Sequence, residues 1–128
     1  MTEPKALIPI HPEALALAQD GAPHEELLRL VVETFEGLAD PTRARILYAL
    51  TRGSLCVRDL AILTGLSESA VSHQLRFLRD RRLVTFRKTG NVVAYAVDDH
   101  HVAALFREAE YHADHVRQGL PDHSYHAP

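Results

Sequence analysis

Apolar residues recur at helical spacing through most of the chain, broken by one stretch that alternates. From His24 to Leu38 the stripe is Leu27, Leu30, Val31, Thr34, Phe35 and Leu38, a helix whose end Gly37 weakens. Asp40-Pro41 pairs an N-cap acid with a proline at the first helical position. That predicts a helix to about Thr51 with Ile46, Leu47 and Leu50 inward, stopped by Arg52-Gly53-Ser54. Cys56 to Leu63 reads as a short helix and Thr64-Gly65-Leu66 as a tight turn. Ser67-Glu68-Ser69-Ala70 then opens a helix to about Asp80, with Val71, Leu75 and Leu78 inward. Leu83–Lys88 and Val92–Val97 read as strands joined through Thr89-Gly90-Asn91. A last helix, free of Pro and Gly, spans Asp98 to Arg117 on the stripe Val102, Leu105, Phe106, Ala109, Ala113 and Val116. Asp98 and Asp99 suit its N-terminus, where carboxylates meet free N–H groups.

A short helix, a Gly-containing turn and a second helix make a helix-turn-helix, and the hairpin after it is placed as a wing. The expected class is mainly α with a small β-hairpin, a winged helix-turn-helix. Residues 1–23, with Pro4, Pro9 and Pro12, read as a mobile arm with a short helix at Pro12–Ala18, ended by Asp20-Gly21-Ala22-Pro23. The domain proper is 24–118, and 119–128 reads as a disordered polar tail.

The chain has 128 residues, 46% hydrophobic and 24% charged, enough for one domain with a modest core that dimerisation would secure. No apolar run approaches membrane-spanning length, and no basic-then-apolar leader opens the chain, so a cytoplasmic location is expected. A lone Cys56 excludes an intrachain disulfide and a cysteine-only zinc site.

Charge is unevenly placed. Six cations (Arg76, Arg79, Arg81, Arg82, Arg87 and Lys88) and one anion (Asp80) lie between Ser69 and Asn91, a local +5. With −3 overall, the remainder carries −8. A basic patch on an acidic body is a footprint for phosphate contacts. The outward face of the second helix offers Ser69, Ser72, His73, Gln74 and Arg76, with Ser67 at its start. Small hydroxyls, an amide and Arg reach base edges and phosphates in a major groove. Arg87, Lys88 and Asn91 at the wing tip suit backbone or minor-groove contact. An ordinary helical hairpin with a polar face is the alternative; the basic patch on and after this helix favours double-stranded DNA.

Six of nine histidines (His100, His101, His112, His115, His123 and His126) lie in the last 29 residues. His101 and His112 share a helix face but stand about 16 Å apart along the axis, beyond the reach of one ion with bonds near 2 Å. His112 and His115 can share an ion, and Asp99 can meet His101 at a loosened helix start. Two such helices packed antiparallel would bring Asp99 and His101 of one chain to His112 and His115 of another, a four-ligand site occurring twice per symmetric dimer. A solvated face that is merely rich in histidine stays open at this point.

Leu38-Ala39-Asp40-Pro41-Thr42-Arg43, Leu55-Cys56-Val57-Arg58-Asp59-Leu60, Ser67-Glu68-Ser69-Ala70-Val71-Ser72-His73-Gln74-Leu75-Arg76 and Leu83-Val84 with the Gly90 hairpin closely resemble the ArsR/SmtB family of bacterial winged-helix, metal-responsive repressors. The resemblance runs from about Leu28 to Gln118. Within it the zinc-sensing SmtB/CzrA-type branch looks nearest. Its C-terminal-helix signature is Asp-x-His, ten residues, His, two residues, then His or Glu, and Asp99, His101, His112 and His115 satisfy it. His100 lies beside that pattern.

The resemblance implies a homodimer joined through its N- and C-terminal helices, released from operator DNA when Zn(II) binds between the C-terminal helices. Ligand histidines usually donate their second ring N–H to an acceptor, and a backbone carbonyl near Arg82, at the end of the recognition helix, is the expected receiver. The resemblance also points to a second locus at Cys56 and Asp59, whose further ligands in SmtB-like members are a Cys and a His from the partner's arm. This arm has no Cys; His11 is the nearest substitute and His24 a poorer one. A softer ion (cadmium, copper or arsenite) sensed through Cys56 is the alternative effector, although the Cys-x-Cys of arsenic and cadmium sensors fails at Arg58. A zinc enzyme is a remote alternative, because no His-Glu-x-x-His or nucleophile motif accompanies the histidines.

Overall fold

A computed structural model of the chain describes residues 6–119. Its elements in order are α1 (Pro12–Gly21), α2 (Glu25–Leu38), α3 (Pro41–Leu50), β1 (Leu55–Cys56), α4 (Val57–Thr64), α5 (Glu68–Asp80), β2 (Val84–Thr89), β3 (Val92–Val97) and α6 (His100–Gln118). They divide into two compact units, one ending at Val32 and the other beginning at Glu33, so α2 crosses the boundary.

In the first unit, residues 6–9 have no regular structure, and Leu7, Ile8 and Ile10 are 88–92% exposed. Pro12 opens α1 with its fixed φ, and the helix runs to Gly21, beyond the expected Ala18. The backbone N–H of Leu27 donates to His24 Nδ1 at 3.2 Å, so His24 caps α2.

The second unit carries the core. Asp40 caps α3 by accepting the Arg43 N–H at 3.0 Å, with Pro41 in the first turn. Arg43 folds back to donate to the carbonyls of Gly37 at 2.9 Å and Glu36 at 3.0 Å, which fixes the α2–α3 corner. The core is Ile46, Leu47 and Leu50 of α3, Leu60 of α4, Val71, Leu75 and Leu78 of α5, then Leu83, Val84 and Val102. The inward positions expected on α3 and α5 are thus the buried ones. Gly37 does more than weaken a helix end: a Cβ there would overlap the Leu83 side chain, so the bare backbone lets α2 approach the start of β2.

The stripe of α2 exists but meets solvent: Leu27, Leu30, Val31 and Phe35 are 41–54% exposed. On α6 only Val102 is buried, and Val116 is 67% exposed. Periodicity reports that a face is made for burial, not which chain covers it.

Gly65, with φ +74, turns the chain from α4 to α5. Arg82, with φ +58, turns it from α5 to β2. β2 and β3 pair antiparallel from Val84↔Val97 to Thr89↔Val92, leaving a two-residue loop whose first residue, Gly90, has φ +63. The primed hairpin turns require that sign. The hairpin is not the whole sheet. Leu55 and Cys56, expected outside any strand, pair with Tyr95 and Ala94 to add a third, giving the order β1-β3-β2. Cys56 therefore ends a strand and precedes α4 rather than opening it. Two residues are too few to show alternation.

Among the described residues no helix is long and apolar enough to cross a membrane. His123 and His126 and the expected tail from residue 120 lie outside the described residues.

Candidate functional site

Two constellations stand on this frame. The first is the exposed side of the helix-turn-helix and its hairpin. Ser69, Ser72, His73 and Arg76 are exposed along α5, and Gln74 is half-buried among them. Ser67 caps α5, its hydroxyl accepting the Ala70 N–H at 3.1 Å and keeping its own O–H to donate. Arg87, Lys88 and Asn91 are exposed at the end of the hairpin. Arg79 lies over the Phe86 ring, 4.6 Å from its centroid, and ties the helix to the first hairpin strand. On the inner side of α5, Phe77 carries two guanidinium contacts, Arg43 at 4.2 Å and Arg81 at 3.6 Å. Neither contact was legible in the sequence, where Arg81 counted only as charge and Arg43 only as part of a motif.

The second constellation is α6. Asp99 is its N-cap, one carboxylate oxygen accepting the Val102 N–H at 3.0 Å. A carboxylate has two oxygens, so capping with one leaves the other able to ligate. His101 is exposed in the first turn, its ring 3.9 Å from that of His100. His112 and His115 stand together near the other end, ring centroids 6.5 Å apart. Two imidazoles on one tetrahedral zinc place their centroids about 5 Å apart, given Zn–N bonds near 2 Å, so a modest side-chain rotation closes the pair. His115 Nδ1 is buried and has no hydrogen-bond partner. An orphaned imidazole nitrogen is a cost to one chain, and a ligated ion would remove it. Among the described residues, no three His, Cys, Asp or Glu side chains of one chain gather closely enough to hold a metal. That accords with the roughly 16 Å rise between His101 and His112.

Near the start of α4, the Cys56 thiol donates to Asp59 Oδ2 at 3.1 Å, so the expected pair is in contact. His11 is the N-cap residue of α1 and makes no side-chain cap hydrogen bond, while His24 Nδ1 is already engaged with α2. Arg82 stands in its left-handed turn at the α5–β2 junction, where an acceptor carbonyl for a ligand histidine was expected.

Comparison with known proteins fits this geometry. Residues 40–85 match the family of bacterial regulatory proteins described as the arsR family. Over 109 residues, 85% of this chain and 74% of the relative, it is 45% identical to a transcriptional repressor SmtB homolog of Synechocystis sp.. It is also 39% identical over 87 residues to a Staphylococcus aureus cadmium resistance transcriptional regulatory protein CadC homolog, covering 67% of this chain and 72% of that one. Among solved structures, the homodimeric winged helix-turn-helix DNA-binding domain of a possible ArsR-family transcriptional regulator from Mycobacterium bovis superposes with a TM-score of 0.72 at 29% identity, over 83% of this chain and 98% of that one. These relatives regulate transcription and are not enzymes. With its winged helix-turn-helix and these relatives, the chain belongs to the ArsR/SmtB family of metal-responsive transcriptional repressors.

Proposed function

We propose that the chain acts as a homodimer that binds operator DNA without metal and releases it when Zn(II) binds between the two C-terminal helices. The observation that carries this reading is α6. Asp99 and His101 stand at one end, His112 and His115 at the other, and His115 keeps a buried, unpartnered nitrogen. Asp99 and His101 of one copy and His112 and His115 of the other would hold the ion, three nitrogens and one oxygen in a closed tetrahedral site. Bound there, zinc supplies charge and fixed geometry without redox chemistry.

The chain's own residues do the reading. Ser69, Ser72, His73, Gln74 and Arg76 face base edges and phosphates from α5; Arg87, Lys88 and Asn91 hold the backbone or minor groove from the hairpin. A symmetric dimer must space its two α5 helices for successive major grooves, about 34 Å apart. Cross-linking the α6 helices selects one dimer geometry, and if that geometry spaces the readers poorly, the operator is released. The coupling is reciprocal: DNA then weakens zinc binding by the same factor.

Fluorescence anisotropy on operator DNA at fixed salt tests this. Zinc at one equivalent per site is expected to weaken binding at least tenfold, about 1.4 kcal/mol. His112→Ala should bind DNA as tightly and ignore zinc. Release of that variant by zinc would defeat the assignment.

The Cys56–Asp59 contact favours a second effector reading. One thiol beside a carboxylate is a partial site that suits a softer ion, and a relative's name refers to cadmium resistance. Cadmium release that survives His112→Ala but not Cys56→Ser would support it.

A further inference from the structure

The face of α6 turned away from the histidines borders a groove that neither DNA reading nor the metal site uses. Where α6 crosses α3 and α4, a cavity of about 610 Å³ has an apolar floor of Ala44, Ala49, Leu55, Leu63 and Phe106. A second cavity of about 330 Å³ shares Tyr48, Arg52 and Phe106 with it and extends along α6 to Arg107, Glu110 and Tyr111. Both volumes fall in the range of small-molecule sites. Three guanidinium groups rim the pair of cavities, Arg45, Arg52 and Arg107, against one carboxylate, Glu110. Arg52 is pre-positioned: it donates to the Tyr48 hydroxyl at 2.9 Å and lies over the Tyr48 ring. An apolar trough under a cationic rim matches a molecule with a hydrocarbon body and an acidic head.

Helix geometry separates this groove from the metal face. At about 100° per residue, Phe106 and Glu110 lie roughly 140° and 180° around α6 from His101 and about 180° and 140° from His115, whereas Arg107 and Tyr111 lie about 80° and 40° from His115. A partner helix packed over the histidines therefore leaves the Phe106 and Glu110 side of α6 open, while the Tyr111 end of the groove borders the histidine face.

We propose that this groove binds an amphipathic organic anion, a carboxylate with an aliphatic body of medium length. The hydrocarbon lies against Leu55, Leu63 and Phe106, and the carboxylate accepts charge-assisted hydrogen bonds from Arg52 and Arg107. The site is independent of the metal reading.

Displacement of 1-anilinonaphthalene-8-sulfonate from the full-length protein tests the proposal, with decanoate and decanol as competitors below their aggregation concentrations. Saturable dye binding, and displacement by decanoate at a concentration at least tenfold below that of decanol, are expected. Arg52→Gln with Arg107→Gln should weaken decanoate at least tenfold and leave decanol unchanged, with an unaltered melting curve. Leu63→Asp should weaken both. Equal displacement by decanoate and decanol would overturn the proposal by removing the arginines from it. Dye binding that appears only on dilution to the monomer would overturn it too, since a second copy would then be the occupant. If Leu63→Asp fails to fold, the two-arginine variant still decides.

Discussion

Gly37 sets how closely α2 lies on the start of β2, because any Cβ there meets Leu83. Gly37→Val is expected to cost about 1–3 kcal/mol through overpacking, read as a fall in the urea midpoint with an unchanged slope. Asp40→Ala removes the α3 cap and leaves the Arg43 hydrogen bonds to the Gly37 and Glu36 carbonyls in place. A loss of about 1 kcal/mol is expected for the cap alone. At this scale the sequence was readable where one residue type has one use. Asp40-Pro41 announced a helix start, and Ile46, Leu47, Val71 and Leu75 announced a core. It was ambiguous where a side chain has several uses. Ser67, counted among the DNA readers, also caps α5, and His24, weighed as a ligand, also caps α2 through Nδ1. Nothing in a residue's name says which partner comes first.

The elements divide between those whose pattern is long and those made by pairing. α3, α5 and α6 were legible because their apolar period runs for ten residues or more. β1 was not, since two residues carry no period and exist as a strand only by pairing with β3. The hairpin was placed correctly because Gly90 supplies the positive φ its turn needs. Its contribution to DNA binding can be separated from that of α5 by salt. Lys88→Gln should flatten the slope of log affinity against log salt by about 0.9 if that side chain neutralises one phosphate. An unchanged slope would remove the hairpin tip from the interface. Phe86→Ala should weaken operator binding without changing that slope, because it loosens the Arg79 contact that steadies the hairpin and removes no charge.

For the whole molecule, the telling feature is apolar surface that one chain leaves uncovered. The α2 stripe and Val116 of α6 face solvent, and a second copy is the natural cover for helices at both ends of the chain. Phe35→Asp is expected to shift the sedimentation profile toward monomer at micromolar protein and to weaken operator binding. A dimer unchanged in mass would place the contact elsewhere. Apparent stability should rise with protein concentration, and further with zinc, by about 2.7 kcal/mol when free zinc is 100 times its dissociation constant. Ligand spacing along α6 sets His101 and His112 too far apart for one ion on a straight helix, because rise per residue is fixed. It did not foretell which surfaces would meet, since that depends on packing between copies.

Asp99 bears on how the metal preference of such a protein can drift under selection. The same carboxylate starts α6 and stands in the candidate ligand set, so exchanging it for a thiol or imidazole to suit another ion also uncaps the helix, at about 1 kcal/mol. His112, exposed in the body of α6, carries no such tax. Retuning toward a different ion is therefore easiest in the second half of the helix, and Asp99 is the position least free to follow.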